Sequence, residues 1–314
     1  MEISIGIMLS LHQAHHLFGW ITTMLVEHSF GVDCLVLFLI ILGRYFLVAG
    51  GCWCLIHLCY PCIGDALSAL KDRRRLIGIG HDIRLSVLSA AVFAVAAAAL
   101  LWLQAHGITR LYTDVDFSTW WYLALSYSTV LILQDGVFYV THRLFHHPAL
   151  YSTFHRGHHR SCRPTPWTSF AFDPPEAMLQ ALVLIGVVML IPLHIVTLLA
   201  VLSTMTVWAI VNHLELDCLP SWFPHHLLGR WVIGPAHHAL HHRRPSMHFG
   251  LYFTFWDRVC RTQDGTYVRG LISGTSICLG GPVAQSPYRE TLRGQVVHPD
   301  RQPFSSSFHD PSDP

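Results

Sequence analysis

Runs of apolar residues, broken by short polar and charged stretches, dominate the chain. Four are long enough to matter for a bilayer, which needs about 20 apolar residues per helix. They fall at about residues 34–58, 87–103, 120–140 and 177–214. The last is too long for one crossing. Pro192, in Ile-Pro-Leu-His, lies near its middle, and proline ends a helix at or before itself. The stretch therefore reads as a helical hairpin, either two spans or a re-entrant pair. The pattern predicts an all-α bundle of about four or five membrane helices. The expected division is an extracytoplasmic segment over 1–33, a membrane-embedded domain over 34–280 and an irregular tail over 281–314, where Pro, Ser, Asp and Arg accumulate.

Charge orients the spans. No lysine or arginine precedes Arg44. Lys71, Arg73, Arg74 and Arg75 follow the first span, Arg110 stands against Asp114 and Asp116 after the second, and Arg143, Arg156, Arg160 and Arg163 follow the third. The positive-inside rule then places the loop after the first span, and everything after the third span, in the cytoplasm, with the amino terminus outside. A hairpin over 177–214 returns the chain to the side it left. Arg44 lies inside the first apolar run; either it snorkels or the span begins after it.

Composition sharpens this reading. The chain is 52% hydrophobic and only 12% charged, against about 25% charge in soluble domains. The net charge of +1 gives no reason to expect a nucleic-acid partner. The start lacks the basic region of a cleavable signal. The nine cysteines are scattered. Cys59 and Cys62 have CxxC spacing but read as reduced thiols at a helix end. The 24 histidines, more than the 20 lysines and arginines together, demand a reason.

Three clusters supply it: His142-Arg-Leu-Phe-His146-His147, His155-Arg-Gly-His158-His159, and His238-Ala-Leu-His241-His242, preceded by His237. Positions i, i+3 and i+4 of a helix share a face, so each HxxHH is expected to offer up to three imidazoles to one place. Upstream, Asp135, Tyr139, His142 and His146 form one helical stripe. Asp135 is expected to accept an imidazole N–H, fixing the tautomer of a ligand; Tyr139 and, more weakly, Asp217 share that supporting role. His213, at the mouth of the hairpin, is expected to be a further ligand. The expected metal set is His142, His146, His155, His158, His159, His213, His238, His241 and His242, with no catalytic residue beyond it. Tetrahedral zinc takes four ligands, so this many imidazoles imply two metals. Imidazole suits iron, zinc and copper alike. The carboxylates of soluble di-iron bundles are missing. His12-Gln-Ala-His15-His16 is also an HxxHH, but it lies before the first span, across the membrane from the others, and is given no part in the site. His225-His226 lacks a third partner and reads as structural.

These residues resemble the fatty acid hydroxylase/sterol desaturase superfamily over roughly Arg44 to Thr262. The resemblance rests on Asp135-x3-Tyr139-x2-His142-Arg143-x2-His146-His147, on His155-x2-His158-His159, on His238-x2-His241-His242, and on Phe249-Gly250-x5-Trp256-Asp257. It implies a membrane enzyme with a cytoplasmic cap holding two iron ions, for which zinc can substitute. It implies activation of dioxygen and hydroxylation or desaturation of an unactivated C–H bond in a lipid. Electrons would come from NAD(P)H through a separate redox protein. The chain departs from the family where asparagine commonly precedes Phe-Gly, here His248, and where Phe-Gly-Thr commonly ends the block, here Cys260-Arg261-Thr262. His248 reads as a substitute polar contact. Two other classes remain: a zinc-dependent membrane hydrolase, which needs a positioned carboxylate base where only Glu176 is near, and a metal or haem transporter, which needs ligands at mid-bilayer.

Overall fold

The computed structural model describes residues 29–59, 73–114, 120–214, 230–265 and 267–268. Asp217, Cys62, His225-His226 and the amino-terminal His12, His15 and His16 lie outside the described residues, as does the tail beyond 268.

Helix α1 (Phe30–Tyr45) passes through a wider π turn at Phe46–Gly50 into α2 (Gly51–Cys59). The helix begins at Phe30, so the boundary expected at 33–34 falls in its first turn. Arg44 is part of this continuous helix rather than a residue preceding it, and its guanidinium stands 5.7 Å over the Phe170 ring. Helix α3 (Arg73–Ala105) has 33 residues, about 50 Å at about 1.5 Å per residue. That exceeds the roughly 30 Å hydrocarbon core. Its first turns therefore project beyond the bilayer, and the arginines expected in a loop lie on helix instead. Its buried face is built from small residues, Ser86, Ser89, Ala90, Ala94 and Ala98, which let neighbouring helices approach closely.

Helix α4 (Trp120–Phe145) runs to the first histidine cluster, and α5 (Pro148–Phe154) leads to the second. Helices α6 (Pro174–Leu190) and α7 (Ile195–Asn212) form the expected hairpin, with Pro192 in the turn. At about 26 Å α6 is the shorter of the two, and α7 at about 27 Å is close to the thickness of the hydrocarbon core. The turn is fastened at the end away from the histidines. There, β1 (Leu111–Tyr112) pairs in parallel with β2 (Leu193–His194), in the register Leu111 to Leu193 and Tyr112 to His194. Tyr122 also donates its hydroxyl to the Pro192 carbonyl at 2.8 Å. A core of Leu111, Val130, Val188, Leu193, Ile195, Leu198 and Val201 packs around this latch. The chain after α7 contributes α8 (Pro235–Arg243) and α9 (Phe255–Val259).

Four stretches are long and apolar enough to cross a membrane: Phe30–Ile56, Arg75–Ala105, Trp120–Phe145 and Ile195–Asn212, with Pro174–Leu190 a shorter apolar helix. Their outward faces carry exposed Leu39, Ile40, Leu47, Leu88, Val95, Ile132, Val140, Leu182 and Val207. Apolar exposure that extensive suits lipid rather than water.

Candidate metal centre

The nine histidines expected as ligands lie in two adjacent groups. His142, His146, His155, His159 and His241 form the first, and His158, His213, His238 and His242 the second. Within each group one ligand nitrogen per residue lies within 4.8 Å of the others. The groups abut, with His159 and His242 ring centroids 4.5 Å apart. His147 is exposed; it serves as the N-cap of α5, accepting from the Ala149 N–H at 3.4 Å.

Each HxxHH divides its imidazoles between the groups instead of sending all three to one. On α8, His238 and His242 face the second group and His241 the first. A helix turns about 100° per residue, so i and i+4 lie about 40° apart, while i+3 and i+4 diverge by about 100°. Around the turn after α5 the same rule holds: His155 and His159 face one way and His158 the other.

Proton positions decide what these rings can do. His142 Nδ1 lies 2.9 Å from the Phe249 carbonyl, His241 Nδ1 2.7 Å from that of Met247, and His155 Nδ1 2.8 Å from Glu176 Oε2. In the second group His158, His213 and His242 place Nδ1 against the carbonyls of Ala171, Ala209 and Ser161 at 3.1, 2.6 and 3.1 Å. Each acceptor fixes the ring proton on Nδ1 and leaves Nε2 as an inward lone pair. These lone pairs crowd: His241 Nε2 is approached by His146 Nε2 at 3.1 Å and by His159 Nε2 at 3.0 Å. His238 Nε2 lies 3.2 Å from His213 Nε2 and 3.1 Å from His242 Nε2. His142 Nε2 and His155 Nε2 are buried with no hydrogen-bond partner among the described residues. Unpartnered buried acceptors are rare and costly. Convergent lone pairs of this kind suit a cation, and outward N–H groups held by carbonyls or carboxylates are the usual support of metal-binding histidine. The donor set fits two nitrogen-ligated metals.

Burial keeps the imidazoles neutral. It holds His155, His158, His159, His238, His241 and His242 well below the ordinary range, helped by mutual repulsion among them. His213 is pushed down to about 4 and His146 to about 2. In the unfolded chain histidine titrates near about 6.5. Below that pH the unfolded chain takes up protons that the folded site refuses, so stability is full above about 6.5 and lost as pH falls. Metal-stripped protein is expected to melt progressively earlier from about pH 6.5 downward, and metal-loaded protein to hold its melting temperature further into acid. Thermal unfolding of both forms across that range checks this.

The supporting residues differ from the expectation. Asp135 accepts no imidazole; its Oδ1 takes the backbone N–H groups of Leu251, Tyr252 and Phe253 at 3.3, 2.7 and 3.3 Å. It secures the strand of chain whose Phe249 carbonyl orients His142, one step further out than supposed. Tyr139 shares its hydroxyl with Thr262 Oγ1 at 3.0 Å, accepts from Arg143 at 3.2 Å, and stacks on Trp256. Gly136 makes that approach possible, since a Cβ there would lie 3.0 Å from the Trp256 ring.

Sequence reasoning gave no supporting role to three acids, of which it had noted only Glu176. Glu176 orients His155. Asp173 accepts from the backbone N–H groups of Gly157 and His158 at 2.7 and 3.4 Å, and a side chain at Gly157 would collide with that carboxylate. Asp82, on α3, accepts from Ser161 at 2.8 Å and from Thr168 at 2.7 Å; the Ser161 carbonyl then holds His242. The available signal was cost: an acid at the head of an apolar helix requires a partner.

The fold and site define a class: a multi-pass helical membrane protein whose cap holds two polyhistidine centres. Comparison with known proteins shows what this part of the chain is similar to. Residues 127–262 match the fatty acid hydroxylase family model. Delta(7)-sterol 5(6)-desaturase ERG3B of Gibberella zeae is 33% identical over 154 residues, covering 49% of this chain and 46% of that protein. Lathosterol oxidase of Rattus norvegicus is 33% identical over 183 residues, 58% of this chain and 60% of that one. The human lathosterol oxidase is 30% identical with the same coverage. The chain thus spans about half to three-fifths of the length of these relatives. No solved structure matches. The stretch that carries the histidine clusters is therefore similar to the fatty acid hydroxylase family and to these sterol-modifying proteins.

Proposed function

We propose that this chain is a membrane di-iron oxygenase that hydroxylates or desaturates a C–H bond of a lipid, with the nine histidines as ligands and residues 34–280 as the catalytic domain. The observation that carries the reading is the set of anchored imidazoles aiming lone pairs at two adjacent points beneath a bundle of apolar helices. Two irons held there would supply the redox chemistry that activates dioxygen, with electrons from NAD(P)H through a separate redox protein. The chain's own residues bind, orient and exclude. Carbonyls of Phe249, Met247, Ala171, Ala209 and Ser161, with Glu176, fix the rings. Burial keeps them unprotonated and keeps water out. The membrane helices let a lipid arrive without crossing water. Hydroxylation sends one oxygen atom into the product and the other into water; desaturation sends both into water. The names of the relatives make a sterol the first substrate to test.

A zinc hydrolase needs a carboxylate free to activate water. Glu176 is fully buried, with Oε2 on His155 and Oε1 accepting from Gln180 at 3.3 Å, which disfavours that reading. A transporter would place its ligands at mid-bilayer; these cluster at helix ends. The deciding measurement is elemental analysis of iron-sufficient protein, expected to give about two metal ions per chain, followed by oxygen-dependent turnover of a Δ7-sterol with a reductase system. A reproducible single ion would sink the two-centre site.

We place the histidine cap in the cytoplasm. Impermeant labelling of a tag near His106 and of one at the carboxyl terminus is expected to report opposite sides of the membrane. Labelling of both from one side would overturn the argument that the histidine clusters share one face of the membrane.

A further inference from the structure

We propose that His248 is a positioning residue for the first centre, locked by His237, and that this pair sets the geometry of the imidazoles on either side of it. The inference rests on the metal reading above. His237, His248 and Asp257 make a third buried group of metal-ligand residue types, yet their hydrogen bonds argue against a third ion. The Asp264 backbone N–H donates to His248 Nε2 at 3.1 Å. That puts the ring proton of neutral His248 on Nδ1, which sits over the nitrogen edge of His237, 3.1 Å from Nδ1 and 2.6 Å from Nε2. The two rings are nearly perpendicular. Both oxygens of Asp257 are engaged: Oδ1 by the Phe249 N–H at 2.9 Å and the Thr262 hydroxyl at 2.7 Å, Oδ2 by the Gly250 N–H at 3.1 Å. His237 Nε2 also lies 3.6 Å from Asp257 Oδ2, so the three groups are partnered by one another and by the backbone without an ion.

What His248 does follows from its place in the chain. It lies between Met247 and Phe249, whose carbonyls hold His241 and His142 of the first centre. Its φ is 64°, a left-handed conformation uncommon outside glycine, although histidine and asparagine tolerate it better than most residues. Such a conformation persists only where its surroundings over-determine it. Here the side chain is held at both nitrogens and the backbone N–H donates to the Thr262 carbonyl at 2.9 Å. The resulting bend aims two neighbouring peptide carbonyls at two different imidazoles. His237 fastens the bend to α8, directly before His238 of the second centre. The segment 237–248, with three ligands on it, is therefore closed at its ends by one side-chain contact.

Cobalt(II) is the probe, because its visible absorption reports ligand number and geometry. Wild-type protein is expected to bind two equivalents. His248→Ala is expected to weaken cobalt binding about 10- to 100-fold, the usual effect of losing support behind a ligand, and to shift the absorption bands. His248→Asn, which tolerates the left-handed φ and keeps a donor, is expected to restore both. A lowered melting temperature in His248→Ala with unchanged affinity and spectrum would overturn the proposal. So would a third wild-type equivalent lost in that variant. Should His248→Ala fail to accumulate, His237→Asn tests the same contact with the bend residue intact. Shifted bands are expected, and wild-type bands would refute the clamp. If wild-type protein binds no cobalt stoichiometrically, the metal reading itself fails, a result distinct from failure of the clamp.

Discussion

His241→Ala is expected to abolish product formation and to strip metal from the first centre. His241 Nε2 is the point on which His146 and His159 converge, 3.1 and 3.0 Å away. Its own orientation is fixed by the Met247 carbonyl, so no neighbouring ring can swing into its place. The interior around it is packed with other imidazoles. Removal leaves a gap that water or the wrong metal fills with the wrong geometry. His158→Ala is expected to do the same to the second centre. His15→Ala and His16→Ala, which precede the first expected membrane span in sequence, are expected to change neither turnover nor metal content. The check is product and bound metal in all four variants at matched membrane abundance. Wild-type turnover in His241→Ala or His158→Ala would refute the site, and metal loss in His15→Ala would refute the orientation.

Glu176→Ala is expected to lower metal affinity or turnover about 10- to 100-fold without touching a ligand. The carboxylate lies in the first turn of α6, fully buried, and takes the Nδ1 proton of His155 at 2.8 Å. Without it, that N–H is stranded in an apolar interior, at a cost of about 1–3 kcal/mol. The ring is then free to turn its proton inward, where a lone pair is needed. Glu176→Gln keeps an acceptor but not the charge, so it is expected to fall between wild type and alanine. Metal titration of the three proteins decides the matter. Equal affinity for alanine and wild type would remove Glu176 from the site.

Much of the architecture is legible in the sequence because it is written locally. The length of each apolar run predicts a span, Pro192 predicts the hairpin, and the stripe Asp135, Tyr139, His142 and His146 predicts one face of α4. All four residues do bear on the cap. What was not legible is mostly non-local. Asp135 looked like a partner for the imidazole nearest it along the helix. Its actual partners, residues 251–253, are more than a hundred positions away, and no periodicity records that contact. Glu176 is only 21 positions from His155, but turns with no repeating pattern intervene. The alternation within each HxxHH was open to reading: the angular spacing that puts three residues on one face also separates i+3 from i+4. Treating the face as a single point hid the division. Asp217, the weakest of the supporting candidates, lies outside the described residues.

That division has a consequence for assembly. The loop from His155 to His159 and the helix from His238 to His242 each serve both centres, whereas α4 supplies only the first and His213 only the second. An ion entering one centre must immobilise the shared segments, and the second ion then meets rings already in place. The conformational entropy of ordering is surrendered once for two binding events. Under the two-metal proposal, loading is expected to be cooperative, with half-filled protein scarce in a metal titration. The same sharing means that an insertion within 155–159 or within 238–242 would damage both centres together.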